Sequence, residues 1–338
     1  MKISCLLLGL AAFVPAHAEM DRAALVQLAG SVVQVEVVRA QGGLSLGSGV
    51  VVAAGKVITN CHVTHDAEQI SVLRGAARRP VRSQLADTEH DLCLLQVPGL
   101  EASVAPLGRA RDLKLRQPVT ALGYTGGMGL QISPGGVVGL HRLDGSSVIQ
   151  SSNFFNSGAS GGGLFDDAKQ LVGILTFRLR GGESHYFSAP AEWVRELLDR
   201  HDDGSPVAPL DPSALAYWQR DAETQPDFLK VAMLERQRRW IELEAVTARW
   251  SRFDVGDAEA WFTRGIALSQ LERWPAARSA LERAVALEPE SGLAWFRLGA
   301  VCTSMRQLEC ARDALAKLAN LDAALAEDLK QLIDKAKA

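Results

Sequence analysis

The sequence of 338 residues is short of charge of one sign: 36 Lys plus Arg face 39 Asp plus Glu, a formal net charge of −3. That balance excludes nucleic acid, or a polybasic hold on a membrane surface, as the main partner. Long apolar runs are missing behind the first twenty residues. Nothing there approaches the ~18–20 residues that cross a bilayer, so no integral membrane segment is expected in the mature chain. Cysteine is scarce, five in all. His65 lies three positions from His62, but no acidic or cysteine partner completes a site, so neither a metal nor a cofactor is expected. Apolar residues are not scarce: at 47% hydrophobic the chain is no disordered tail, and its length predicts two domains.

The first segment reads as an address. Lys2 gives a positive start, Ile3 to Val14 an apolar stretch, and Ala16-His17-Ala18 a small-residue end. This is the pattern of a secretory leader cut after Ala18, and it predicts a periplasmic or secreted protein. A buried N-terminal helix is the other reading, against which stand the short run and the cleavage site. Cys5 leaves with the leader, so Cys61, Cys93, Cys302 and Cys310 remain. An even number in an exported chain invites pairing, in one of three connectivities, as against four buried thiols.

Residues 19–200 read as an all-β domain. Val32–Val38, Gly49–Val52, Lys56–Thr59, Gln69–Leu73, Asp91–Val97, Val119–Leu122, Val137–Leu140, Ser147–Gln150 and Leu171–Phe177 are short β-branched runs punctuated by Gly and Pro. Without helices between them they predict a barrel or sandwich, closed by one helix over Ala191–Arg200. Residues 201–212, with Gly204, Pro206, Pro209 and Pro212, read as a linker. Beyond it, residues 213–338 turn to Ala, Leu, Glu and Arg at helical spacing. Trp261 recurs as Trp295, Gly265 as Gly299, Ala277 as Ala311 and Leu281 as Leu315, each 34 residues on. This period resembles the tetratricopeptide repeat family. Two units fit 258–291 and 292–325, a degenerate one about 224–257, and a capping helix 326–337. A helical bundle could share the composition but not the repeated phase. In such a unit Cys302 and Cys310 flank the turn at Ser304–Gln307, which pairs them.

The chemistry centres on Asn156-Ser157-Gly158-Ala159-Ser160-Gly161-Gly162-Gly163-Leu164. A serine among glycines lets backbone approach a substrate carbonyl and lets successive N–H groups aim at one point. Ile58-Thr59-Asn60-Cys61-His62-Val63 places a histidine after an apolar strand, and His90-Asp91-Leu92-Cys93-Leu94-Leu95 an acid before another. Asp87 is the second candidate for that acid; Asp91 is preferred because the apolar run fixes it on a strand. His, Asp, Ser in that order, with Gly47-Ser48-Gly49-Val50-Val51 and Ile149-Gln150, resembles the trypsin-like serine proteases, in particular their bacterial HtrA-type branch, over about residues 30–195.

The resemblance implies a chymotrypsin-like double β-barrel, so that the whole is a multidomain chain with an all-α repeat solenoid after it. It implies Ser160 as nucleophile, His62 as base, Asp91 as the acid that orients it, and the backbone N–H groups of Gly158 and Ser160 as oxyanion hole. If Asp91 meets the backbone beside His62, Cys61 and Cys93 become neighbours, which pairs them. Ala159 and Gly163 replace a polar residue and a proline common in the family, implying a looser loop. The specificity pocket falls on Phe154, Leu175, Thr176, Phe177, Phe187 and Ser188. No acid stands at its base, so small or medium apolar side chains are expected there rather than Lys or Arg.

Gly158-Ala159-Ser160-Gly161-Gly162 also spells the elbow of α/β-hydrolases. That fold needs a helix directly after the serine, for which three glycines are poor material, and a later acid and histidine, where His185 and His201 lack suitable settings. The function expected is cleavage of protein or peptide substrates, with the repeats holding a protein partner or extended substrate. Deletion beyond Asp211 is then expected to spare small-peptide cleavage. The competing reading is a protease-like binding scaffold, disfavoured by the intact His62, Asp91 and Ser160.

Overall fold

The computed structural model describes residues 22–126, 129–179 and 186–337. The expected leader, its cleavage after Ala18, Cys5 and His185 lie outside them. Helix α1 (Arg22–Ala29) enters the first β lobe. In β1 (Val32–Arg39) buried Val33, Val35 and Val37 alternate with half-buried Gln34 and Glu36, the period of a strand with one face on a core. It is followed by β2 (Leu44–Ala53), β3 (Lys56–Thr59), the one-turn helix α2 (Cys61–Thr64), β4 (Ala67–Arg74), β5 (Ala77–Pro80), β6 (Ser83–Asp87) and β7 (Leu92–Gln96). With the late β14 (Ser205–Pro206) they make one sheet ordered β14-β6-β7-β3-β2-β1-β4-β5.

Only Val81 and Arg82 separate β5 from β6, although these strands lie toward opposite edges, so the sheet curls back on itself. Val81 N–H donates to Ile70 O on β4 (2.9 Å) and Arg82 N–H to Gln96 O on β7 (2.8 Å), carrying the chain from edge to edge. Inside sit Val35, Val57, Ile70, Val72 and Leu95. The second lobe holds β8 (Pro118–Thr125), β9 (Gly129–Leu143), β10 (Ser146–Ser151), β11 (Gly163–Asp166), β12 (Leu171–Arg178) and β13 (Tyr186–Pro190), closed as β10-β13-β12-β11-β8-β9. Helix α3 (Ala191–Asp199) follows, with Trp193 wholly buried.

Five strands, β5, β6, β11, β13 and β14, were not expected, and β9 begins at Gly129 rather than Val137. Their sequences explain it. Ala77-Arg78-Arg79-Pro80 is exposed throughout, and the first half of β9 carries Pro134-Gly135-Gly136. Partner strands, not local propensity, make these segments extended.

The helical part comprises α4 (Asp227–Arg236), α5 (Trp240–Phe253), α6 (Ala258–Gln270), α7 (Trp274–Leu287), α8 (Gly292–Ser304), α9 (Leu308–Leu318) and α10 (Ala323–Lys337). Its period is visible in the backbone. Arg238, Glu272 and Arg306, spaced by 34, all adopt left-handed φ (54°, 58° and 57°) two residues before α5, α7 and α9. The Trp261 and Trp295 indoles donate to Val255 O and Pro289 O (3.1 and 2.8 Å), bracing equivalent turns. Cys302 on α8 is bonded to Cys310 on α9. Among the described residues no helix is long and apolar enough to cross a membrane.

The segment read as a linker is laid down on the first lobe. Ser205 and Pro206 pair with β6, Ser83 Oγ donates to Asp203 O (2.5 Å), the Gln84 amide donates to Ala208 O (3.0 Å), and Leu210 N–H donates to His65 O (2.6 Å). Phe228, Leu229 and Val231 of α4 join one core with Val148, Phe187 and Trp193. At this seam buried His141 bonds Glu259 of α6 (2.6 Å) and Gln150 (2.8 Å) and stacks on Phe228.

Burial opposes a charge on His141, but the charge and hydrogen bond of Glu259 outweigh it, so its pKa lies above the ordinary 6.5. Its contribution to stability is therefore full below that value and fades as pH rises through the raised one. His141→Gln is expected to lower Tm at mildly acidic pH, with a deficit that shrinks in alkaline buffer. A thermal melt series of both proteins checks it. Each buried apolar side chain at the seam contributes about 1.5–3 kcal/mol, so high pH loosens the junction without parting it.

Candidate active site

The site forms where the two lobes meet. Strand β3 ends at Thr59 and α2 then turns His62 toward Asp91, which stands in the tight turn before β7 at φ 58°, a left-handed conformation Asp tolerates. His62 Nδ1 lies 2.6 Å from Asp91 Oδ2, and His62 N–H donates to Oδ1 (2.8 Å). The Asp91 side chain is 1% exposed and the imidazole 24%: the acid is dry and the ring is reachable. Behind them Cys61 N–H and the Asn60 amide both donate to Asp91 O (3.2 and 2.9 Å).

Asp87, the other candidate acid, belongs to a different cluster. It bonds His90 (2.9 Å) and Arg200 (3.2 Å), while His90 stacks on Trp193 and reaches Asp144. Burial works against ionising Asp87, yet the His90 hydrogen bond and the His90 and Arg200 charges outweigh it and hold the carboxyl below its usual range.

Ser160 arrives from the second lobe on a clamped loop. Gly158 at φ 98° and Gly161 at φ 85° take conformations that a side chain would strain, and a β-carbon at Gly161 would strike the Ser48 carbonyl. Ser48 of β2 is the clamp. Its N–H donates to Ser160 O (2.8 Å), its hydroxyl to Gly158 O (2.7 Å), and its own carbonyl accepts from Thr59 Oγ1 (2.6 Å). Ser157 O is turned to Gly126 N–H (3.2 Å). In that trans peptide the Gly158 N–H points the opposite way. Neither it nor the Ser160 N–H has an acceptor among the described residues.

The loop is not loose. Ala159 N–H donates to Asn156 O, Gly161 N–H to Leu175 O and Leu175 N–H to Gly162 O, while the Ala159 methyl lies in the core and a β-carbon at Gly163 would strike Phe165. The expectation drawn from Ala159 and Gly163 is therefore corrected: small residues here permit close packing.

Ser160 Oγ lies 3.4 Å from Thr176 O, a long contact that leaves the hydroxyl free to turn. Thr176 ties the halves together, since its own hydroxyl accepts from Asn60 Nδ2 (3.3 Å) and Ala189 N–H (3.2 Å). Of the other pocket candidates, Leu175, Phe187 and Ser188 are buried, and Phe177 is stacked between Phe187 and Trp218 at centroid distances of 4.8 and 4.9 Å. Phe154 alone is exposed, edge-on to Tyr186. These six form core and rim rather than one open cavity. The neighbouring segment 180–185 lies outside the described residues.

Residues 47–174, a span holding His62, Asp91 and Ser160, match the trypsin-like peptidase domain family. The chain carries a trypsin-like peptidase domain. Residues 258–301 match the tetratricopeptide repeat. A probable periplasmic serine endoprotease, DegP-like, of Pseudomonas fluorescens is 37% identical over 174 residues, 48% of this chain and 36% of that protein. Mouse serine protease HTRA4 is 32% identical over 171 residues, 47% of this chain and 35% of its own length. The chain thus spans about a third of these relatives. The active form of the Rv3671c protease of M. tuberculosis superposes with a TM-score of 0.52 at 23% identity, over 57% of this chain and 92% of that one, a likeness of fold.

Sequence reasoning missed two residues around the peptidase domain's candidate centre, Ser48 and Trp218. The flanking glycines of Gly47-Ser48-Gly49 were a signal for the first. Trp218 carried none, because it follows the expected linker. Its indole N–H donates to Asp91 Oδ2 (3.2 Å) and its ring meets the His62 ring edge-on (5.6 Å, 88°). A deletion beyond Asp211 removes this contact as well as the repeats.

Cys61 and Cys93 are bonded across the back of the site, 32 residues apart in sequence. Chain entropy assigns that bridge about 3–4 kcal/mol, against about 2–3 for the shorter Cys302–Cys310 loop. Replacing Cys61 and Cys93 by alanine is expected to lower Tm more than the same change at Cys302 and Cys310, as differential scanning calorimetry would measure.

Proposed function

We propose that the protein is an exported serine endopeptidase acting on protein substrates through an acyl-enzyme. The observation that carries this reading is the 2.6 Å contact of dry Asp91 with His62, together with a Ser160 loop clamped to Ser48 of β2, the strand paired with β3. Ser160 Oγ attacks the substrate carbonyl carbon as His62 Nε2 takes its proton. Asp91 keeps the ring in the tautomer with Nδ1–H and stabilises the imidazolium. The C–N bond then breaks, and His62 hands the proton to the leaving amine. Water, activated by the same histidine, cleaves the ester and frees the serine. The unpaired N–H groups of Gly158 and Ser160 receive the oxyanion, each such donor supplying ~2.7–4 kcal/mol to the transition state.

The N-terminal leader pattern and the periplasmic relative support export. The tetratricopeptide match supports a protein partner or an extended substrate segment on the helical part. Exposed Phe154, with no acid among the six pocket candidates, supports cleavage after small or medium apolar residues rather than after Lys or Arg. The test is covalent labelling by a fluorophosphonate. Labelling of the wild type that is lost in Ser160→Ala and in His62→Ala is the expected result; a wild type that stays unlabelled would leave a binding scaffold.

A further inference from the structure

Between the β lobes and α4, residues 203–225 run as a strap across the face that carries His62 and Asp91. The strap is fixed at both ends. Upstream, β14 pairs with β6 and Leu210 N–H bonds His65 O. Downstream, the Gln225 amide donates to Trp218 O and Arg220 O (3.1 and 2.7 Å), and Phe228 enters the common core. Between these anchors Tyr217 N–H donates to Glu89 O (3.0 Å), Arg220 pairs with the Glu89 carboxylate, and Tyr217 is 1% exposed. A cavity of about 490 Å³ remains beneath, walled by His62, His65, Asp91, Asp211, Leu215 and Trp218.

Trp218 is thereby placed to act on both members of the pair. Its N–H shares Oδ2 of Asp91 with the His62 ring, and its indole face lies flat on Phe177 (4.9 Å, 11°) while standing at right angles to the imidazole. A buried carboxylate with two donors on one oxygen and one on the other is held against rotation about its own χ2. The imidazole, with one edge on Asp91 and one side against the indole, has a single orientation. Resting on the reading of Ser160, His62 and Asp91 as the hydrolytic centre, we propose that Trp218, held in place by the strap, is its positioning residue.

The charged and titratable groups around the pair are His65 and Asp211 on the cavity wall, Glu89 and Arg220 bonded to each other, and His90 with its Asp87 and Arg200 partners. The phenol of Tyr217 completes the set; burial and the Asp91 charge both oppose its ionisation, so it contributes no charge. None of these groups replaces the indole N–H at Oδ2.

The experiment compares full-length wild type, Trp218→Phe and Trp218→Leu on a short peptide ester and a peptide amide. Phenylalanine keeps the ring on Phe177 and loses the donor; leucine loses both. Expected for Trp218→Phe is a fall in kcat of about 10–100-fold with KM little changed, the scale seen when a supporting hydrogen-bond partner is removed. The acid limb of its pH–rate profile should move to higher pH, because a carboxylate relieved of one donor favours the imidazolium more strongly. Trp218→Leu should fall further. Thermal melts of each variant report folding separately. A wild type labelled by fluorophosphonate, beside a folded Trp218→Phe with wild-type kcat and pH profile, would overturn the role of Trp218 and leave the centre standing. A wild type that takes no label would overturn the centre itself.

Discussion

Ser160→Ala is expected to lower kcat for peptide hydrolysis by about 10⁴–10⁶-fold while leaving the protein folded. The hydroxyl makes one long contact, to Thr176 O at 3.4 Å, so its removal strands no buried partner. Stability should change by no more than about 0.5 kcal/mol. The loop around it keeps its shape, because that shape comes from backbone bonds: Ser48 N–H to Ser160 O, Gly161 N–H to Leu175 O and Leu175 N–H to Gly162 O. His62→Ala should cost about as much, and the double variant scarcely more than either, because a nucleophile and its base act as one unit. Residual turnover in the double variant would come from substrate binding and from the N–H groups of Gly158 and Ser160. Single-turnover kinetics with a chromogenic ester, read beside calorimetric melts, checks both parts. A loss of less than tenfold in Ser160→Ala would move the nucleophile elsewhere.

Why the candidate centre stood out in the sequence and its surroundings did not follows from where each signal resides. His62, Asp91 and Ser160 each sit in a short run whose local chemistry is distinctive: a histidine after an apolar strand, an acid before one, a serine among glycines. The 34-residue period was legible because each unit repeats its own turn, down to the left-handed residues Arg238, Glu272 and Arg306. Strands such as β5 and β13 were hidden because their extension is imposed by β4, β10 and β12, not by Ala77-Arg78-Arg79-Pro80 or Tyr186-Phe187-Ser188-Ala189-Pro190 themselves. The attachment of the segment read as a linker was hidden for a related reason. Gly204, Pro206, Pro209 and Pro212 do mark irregular backbone, but irregular backbone can still be bonded in place, as Ser205 is to Gln84 and Leu210 to His65. Composition reports the absence of regular structure; it says nothing of attachment. Trp218 was invisible because one tryptophan outside the repeats has no period to give it away.

Asp91→Asn is expected to lower kcat by about 10⁴-fold, whereas Asp87→Asn should leave kcat unchanged and cost stability. The contrast lies in the donors each carboxylate serves. Asp91 Oδ1 accepts from the His62 backbone N–H, and Oδ2 accepts from Trp218 Nε1–H and faces His62 Nδ1. An asparagine must put its NH₂ at one of these positions. At Oδ1 it meets the His62 N–H donor to donor; at Oδ2 it meets the indole N–H and forces His62 into the tautomer with Nδ1 unprotonated, which cannot take a proton at Nε2. Asp87 instead serves His90 and Arg200, away from the reacting hydroxyl. Losing its charge weakens that cluster by about 1–3 kcal/mol. Because the folded pKa of Asp87 is depressed, its stabilisation is present above the unfolded value and is lost as pH falls through the folded one, so the Tm deficit of Asp87→Asn should close in acid. Steady-state kinetics and melts of the two variants across pH separate the roles. A loss of turnover in Asp87→Asn matching that in Asp91→Asn would show that the cluster behind His90, not the carboxylate beside His62, orients the base.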